Sequence, residues 1–264
     1  FSDKNYKTLI ENKRTSDTEF PMSFEALNLK LDTTRYEKIS FLSYKPEYRY
    51  SEILGKEQLH YNRNKPEEIE IKYYNYFDKV DEIQVPSCYI VSAAWTEVIE
   101  RLKINQIEMN YLENDTLIQG VGMYIKSYKN KNTPYEGHFL HSDIEVVDST
   151  IQMNFSKGDY IIKTNQKGWR YLINVLEPQS EDSFFAWNFY DEIVQQKEWY
   201  SAYVFEPYAQ KMLDEDPVLQ MEYDDLIIRD KRFAESGDYR LYWLYKRSSF
   251  YEPSHNRLPI LKIF

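Results

Sequence analysis

Residues 85–109 read VPSCYIVSAAWTEVIERLKINQIEM. Pro86 punctuates the chain, Cys88 to Val91 is an apolar run of strand length, and Ser92 is a helix-capping residue type. Trp95, Val98, Ile99 and Leu102 then recur at the steps of one helical face, and Ile107 to Leu112 (IEMNYL) returns to alternation. This is a strand, helix, strand unit, whose natural geometry is a parallel pair with a right-handed crossover. The same grammar returns at Asp159, where Tyr160, Ile161 and Ile162 precede Trp169, Leu172, Ile173 and Leu176 on one helical face. The two apolar runs are expected in one sheet as neighbours or near neighbours, with Trp95 and Trp169 buried on helices that cover it.

Upstream, Tyr6, Leu9 and Ile10 share a helical face, and Phe24 to Pro86 alternates, as in LNLKLD (Leu27, Leu29, Leu31) and IEIKYYNYF (Ile69, Ile71, Tyr73). These are strands with one face expected to be buried, and Pro21, Pro46, Pro66 and Pro86 fall at turns or strand edges. Downstream, Thr116 to Tyr128 and Ile144 to Phe155 read as further strands. Asp182 or Ser183 is positioned to cap a helical, aromatic stretch through Trp187 and Trp199 that Pro207 should kink or end, and Pro217 opens the next segment. Arg240 to Tyr245 (RLYWLY) is a helix or a buried strand; periodicity leaves both open. The fold class is α+β or α/β: a β-rich N-terminal part, then a mixed sheet with βα units and a helical C-terminal end. The divisions expected are 1–20 as a trailing helix, 21–85 as the β-rich segment and 86–264 as an α/β domain.

Composition narrows the function classes. The 264 residues include 25 Tyr, 14 Phe and 5 Trp but only 7 Gly, which argues against low-complexity structure and Gly-rich phosphate cradles. A formal net charge of -10, with no sustained basic patch, disfavours a nucleic-acid partner. No apolar run reaches the ~20 residues that a membrane-spanning helix needs. Cys88 is the single cysteine, so an internal disulfide and a multi-thiolate metal site are both excluded, and its apolar surroundings favour an inert thiol.

Four histidines are present, and His138 and His141 lie in EGHFLH with Glu145 beyond. On a helix this spacing could hold zinc, but Gly137 and the alternation downstream place it in a loop or strand, where the two rings point apart. In LEPQSEDS, Glu177, Glu181 and Asp182 could support acid–base chemistry, although helix capping accounts for them more simply. There is no G-x-S-x-G elbow and no His followed three residues later by Glu. The candidate binding residues are therefore His138, His141, Glu177, Asp182 and Trp187. No catalytic residue, metal ligand or cofactor is assigned to this chain.

Four blocks carry a resemblance: residues 85–109, the run GDYIIKTNQKGWRYLINVLEPQSEDSFFAW (158–187), KEWYSAYVFEPYAQKML (197–213) and DKRFAESGDYRLYWLYKRSSFYEP (230–253). In order and content they resemble the C-terminal region of large secreted zinc carboxypeptidase-like proteins of Bacteroidetes type. The resemblance implies that zinc belongs to an upstream catalytic domain with an HxxE pair, a second His, substrate-binding Arg residues and a general-base Glu, none of which has a counterpart here. Residues 1–20 resemble the helix that follows the catalytic Glu, so the chain looks like the remainder after the peptidase domain. The resemblance thus implies a noncatalytic accessory module, secreted or periplasmic, whose partner is the upstream carboxypeptidase domain, with Tyr6, Leu9 and Ile10 as the expected docking face. The alternatives are an independent peptide- or glycan-binding surface module and an unrecognised hydrolase centred on His138, His141 and Glu177.

Overall fold

A computed structural model describes residues 24–264, so the expected helix with Tyr6, Leu9 and Ile10 lies outside the described residues. The chain divides into two compact units between Gln84 and Val85.

In the first unit β1 (Phe24–Leu31) pairs antiparallel with β4 (Phe77–Gln84), and β2 (Glu37–Ser51) with β3 (Lys56–Tyr73). The β2–β3 ribbon turns at Gly55, whose left-handed backbone (φ 64°) suits glycine and whose N–H donates to Ser51 O at 2.8 Å. Pro46 and Pro66 flank a register shift in this ribbon. Each strand of a two-stranded ribbon keeps an open edge, which is where a residue without an N–H is tolerated. The alternation identified the strands, but the expectation of one buried face is corrected here: Phe41, Leu42, Tyr44, Tyr48 and Tyr61 are exposed. Alternation reports a pleat, and a ribbon of two strands brings no second layer of its own.

In the second unit β5 (Cys88–Val91), β6 (Asn110–Tyr111), β7 (Thr116–Asn130), β8 (His141–Phe155), β9 (Tyr160–Lys163) and β10 (Arg257–Ile263) form one sheet in the order β6-β9-β5-β10-β7-β8. The two apolar runs are neighbours, with Tyr89 opposite Ile162, but they run antiparallel, as does every pair in the sheet. The parallel crossover is thus corrected. The helix after β5 leads through β6, β7 and β8, and the chain re-enters through the tight turn at Ser156–Asp159. Asp159 locks that turn: its carboxylate accepts from Ser156 N and from Ala93 N, both at 2.7 Å, tying the β8–β9 corner to the loop after β5.

Helix α1 (Thr96–Ile104) buries Val98, Ile99 and Leu102, and α2 (Trp169–Leu176) buries Trp169, Leu172, Ile173 and Leu176. Trp95 stands at the N-cap of α1 and is only half-buried, its ring edge-on to Tyr190 at 4.8 Å. Ser92 is not the cap. Opposed residues share a sheet face, so Ile90, Ile161 and Leu261 lie on one face and Tyr89, Ile162 and Lys262 on the other. The first set joins Leu112 and Phe155 in an apolar cluster.

The C-terminal end is helical: α3 (Ala202–Glu215), α4 (Pro217–Arg229), α5 (Lys231–Glu235) and α6 (Gly237–Tyr245). Asp216, Asp230 and Ser236 each end one helix and cap the next through a side-chain oxygen. Pro217 occupies the first position of α4, where its missing N–H is harmless. Phe205, Ala209, Leu213, Phe233, Trp243 and Leu244 form the core of this part, so RLYWLY is helical. Two expectations are corrected. Residues 177–190 form successive turns rather than a helix: Ser183 Oγ makes a cap-type bond, accepting from Ala186 N at 3.0 Å, and also donates to Pro178 O at 3.0 Å, but no regular helix follows. Pro207 sits inside α3, which continues through it.

Candidate functional site

The five candidate residues separate into two places and one bystander. Glu177, at the C-cap of α2, is fully buried; the Tyr89 hydroxyl donates to its Oε1 at 2.7 Å and Lys262 Nζ lies 3.4 Å from its Oε2. Lys262 is itself buried on β10 and forms a 2.7 Å ion pair with Asp148 on β8, whose carboxylate is half-exposed. Desolvation drives the Glu177 carboxyl above its usual range, with Lys262 pulling the other way. Burial and the adjacent Glu177 push Tyr89 well above the normal phenol range, so its hydroxyl remains the donor.

A group whose folded value is raised binds more protons in the native state than in the unfolded chain. Its stabilising contribution is complete below the unfolded carboxylate pKa of ~4.3 and is lost as pH rises through the folded value. The stability gap between wild type and Glu177→Gln should therefore move in favour of the variant as pH rises from the acid range towards neutrality, read by urea denaturation at each pH. A gap moving the other way would mean that Lys262 outweighs burial.

The second place is a cleft of about 510 Å³ lined by Trp95, Thr96, Glu97, His138, Asn188 and Asp191, among others. Tyr135 and His138 exchange backbone hydrogen bonds across Glu136 and Gly137, both with positive φ (49° and 86°), a two-residue turn that fixes His138. Its Nδ1 faces Asn188 Oδ1 at 2.6 Å. Asn188 Nδ2 reaches Asp191 Oδ2 at 3.4 Å, and Asp191 Oδ1 faces Nε2 of buried His141 at 2.8 Å. The Nδ1 of His141 faces Asn130 Oδ1. The result is a chain of side chains from Asn130 through His141, Asp191 and Asn188 to His138. Trp187 packs against the outer end, 5.7 Å from the His138 ring. Asp182 takes no part: it is exposed in the 177–190 turns.

Glu177 and the histidines do not share a cleft. Glu177 meets Lys262, which meets Asp148, and Asp148 lies seven residues along β8 from His141, about 23 Å at strand rise. The cleft offers a half-buried imidazole held by an amide, and among the described residues no serine or cysteine lines it. Among the described residues no three His, Cys, Asp or Glu side chains group as a metal ion would need. Cys88 is half-buried, and burial raises its thiol.

No family model and no solved structure matches the chain. One curated relative bears on function. Over 100 residues the chain is 25% identical to Carboxypeptidase 2 of Trichophyton tonsurans, a match covering 38% of this chain and 18% of that protein. The likeness is distant and touches under a fifth of that relative's length.

Asn130, Asn188, Asp191, Tyr89, Asp148 and Lys262 escaped the sequence reading. Lys262 carried a signal, as the one charge inside the apolar LPILKIF. Asp191 and Asn188 carried none, because the left-handed turn at Asn188 (φ 57°) that aims them is not written in any spacing.

Proposed function

We propose that this chain is a noncatalytic accessory module of a zinc carboxypeptidase-like protein, packing against or presenting substrate to the peptidase domain. The observation that carries the reading is how the acid–base side chains are used. Glu177 is held by Tyr89 and Lys262, and His141 is held on both nitrogens by Asn130 and Asp191. Groups held on every side by partners of the same fold leave no free position for a substrate, which supports a structural role for them. The distant likeness to a carboxypeptidase supports the link to that chemistry. Zinc and its ligands then belong to the peptidase domain, and the whole protein works outside the cytoplasm.

The test is to incubate the purified chain with zinc and peptides bearing free C-termini. The expected result is no release of C-terminal residues above buffer. Release abolished by a chelator, and by His138→Ala, would overturn the noncatalytic reading and make the His138 cleft an active site.

A further inference from the structure

We propose that the aromatic groove formed by the segment before α3, the first turns of α3 and the residues around the end of α6 binds a lysine or arginine side chain of a peptide. Such binding requires nothing of the accessory-module reading.

The groove has a volume of about 430 Å³ and six of its walls are rings: Trp199, Tyr200, Phe205, Tyr208, Tyr245 and Phe250. The rings brace one another. Trp199 stacks on Tyr200 (5.4 Å, 21°), Tyr200 leans on Tyr245 at 4.4 Å, and Tyr208 meets Phe250 edge-on at 5.2 Å. Yet Trp199 is 68% exposed and Phe250 54%. Large rings held rigidly at the surface supply a preformed contact area with little ordering cost on binding.

Charge selects the occupant. Among the described residues Glu198 is the one carboxylate in the lining, no Lys, Arg or His lines the groove, and Glu198 has no ion pair or side-chain hydrogen bond. Burial, followed by the carboxylates of Glu198 and Glu252, raises the Tyr245 hydroxyl; Glu252 itself is held by Lys197 N and Ser254 Oγ, which leaves Glu198 as the acid open to a ligand. Rings of the adjoining helix already hold the chain's own cations: Lys246 Nζ lies 4.8 Å from the Tyr242 ring, and Arg247 Cζ lies 3.7 Å from the Trp243 ring. Tyr242 in turn stacks on Trp199 at 5.4 Å. Among the described residues no cation covers the groove rings themselves.

A lysine or arginine fits this chemistry, its methylenes against the rings and its head group over a ring face beside Glu198. A sugar fits it less well. A pyranose brings no charge to answer Glu198, the acid in the lining.

The test follows the indole N–H signals of the whole chain by NMR, with Trp199 assigned through Trp199→Phe. The ligands are an acetylated, amidated arginine tetrapeptide, its glutamine counterpart, and maltohexaose and chitohexaose as sugars. The arginine peptide should move the Trp199 signal. Glu198→Gln should weaken binding about fivefold on the Trp199 signal, and Trp199→Ala about tenfold by isothermal titration calorimetry with the same peptide. Both residues are exposed, so thermal melts should confirm that the variants fold. Added salt should weaken the arginine interaction. Equal binding of the glutamine peptide, a response to the oligosaccharides alone, or no shift of Trp199 with the arginine peptide would each overturn the proposal.

Discussion

Lys262→Met should destabilise the chain by about 3–5 kcal/mol near neutral pH, because it leaves a buried carboxylate without its counter-charge. Methionine keeps most of the length of the stem, so the loss reports the ammonium rather than the packing. Among the described residues no other cation replaces it: Glu177 is fully buried and its remaining side-chain partner is the Tyr89 hydroxyl. Asp148 is half-exposed and can return to water, so the cost concentrates at Glu177. It should shrink as the pH falls and Glu177 takes up a proton. The double variant Lys262→Met with Glu177→Gln should recover to within about 1 kcal/mol of wild type, since Tyr89 can still donate to the amide oxygen. A single-variant cost under about 1 kcal/mol in urea denaturation would mean that the network contributes little.

Gly120→Ala should cost about 3 kcal/mol or more, and Gly122→Ala about 1–2 kcal/mol, although both glycines lie on β7. A Cβ at Gly120 would stand 2.7 Å from the Lys262 carbonyl oxygen and 2.8 Å from Leu261 Cγ. The carbonyl belongs to β10, so relief requires moving the strand that carries Lys262 into the Tyr89–Glu177 network. At Gly122 the close atom is Ile151 Cδ1 at 2.5 Å, the end of a side chain that can turn away. Urea midpoints for the two variants separate a backbone obstruction from a side-chain one, and equal losses would contradict the difference.

These effects lie on the links that the sequence made hardest to read. Strand and helix identity was legible where periodicity was strong: Cys88 to Val91, Val98 to Leu102, Tyr160 to Ile162 and Trp169 to Leu176 all formed the elements their spacing predicts. The β-rich start, the sheet and the helical end were legible at that level too. Strand direction was not. A strand–helix–strand reading favours parallel pairing, but β10, the last strand of the chain, pairs with β5 and β7, and no local pattern announces so distant a partner. The 177–190 turns were misread because Ser183 satisfies a turn with the same hydroxyl that could cap a helix.

Of the candidate residues, His138 and His141 stood out in the sequence because histidine is scarce, but the Asn188–Asp191 link that joins them did not. Glu177 was grouped with Glu181 and Asp182 as a capping carboxylate; its burial depends on Lys262 and Tyr89, 85 and 88 residues away in the chain, which no local pattern announces. The aromatic excess was visible from composition. Its partition between the α3–α6 core and the open groove depends on which face each helix turns outward, and that is decided by tertiary packing.

The proposed accessory role is tested by adding the purified chain in trans to the zinc carboxypeptidase-like domain it is proposed to accompany and measuring both association and peptide turnover. The expected result is a stable complex in which kcat/KM for peptides rises while the zinc content of the peptidase domain is unchanged. A peptidase domain that neither binds the chain nor changes its kcat/KM in its presence would contradict the accessory role.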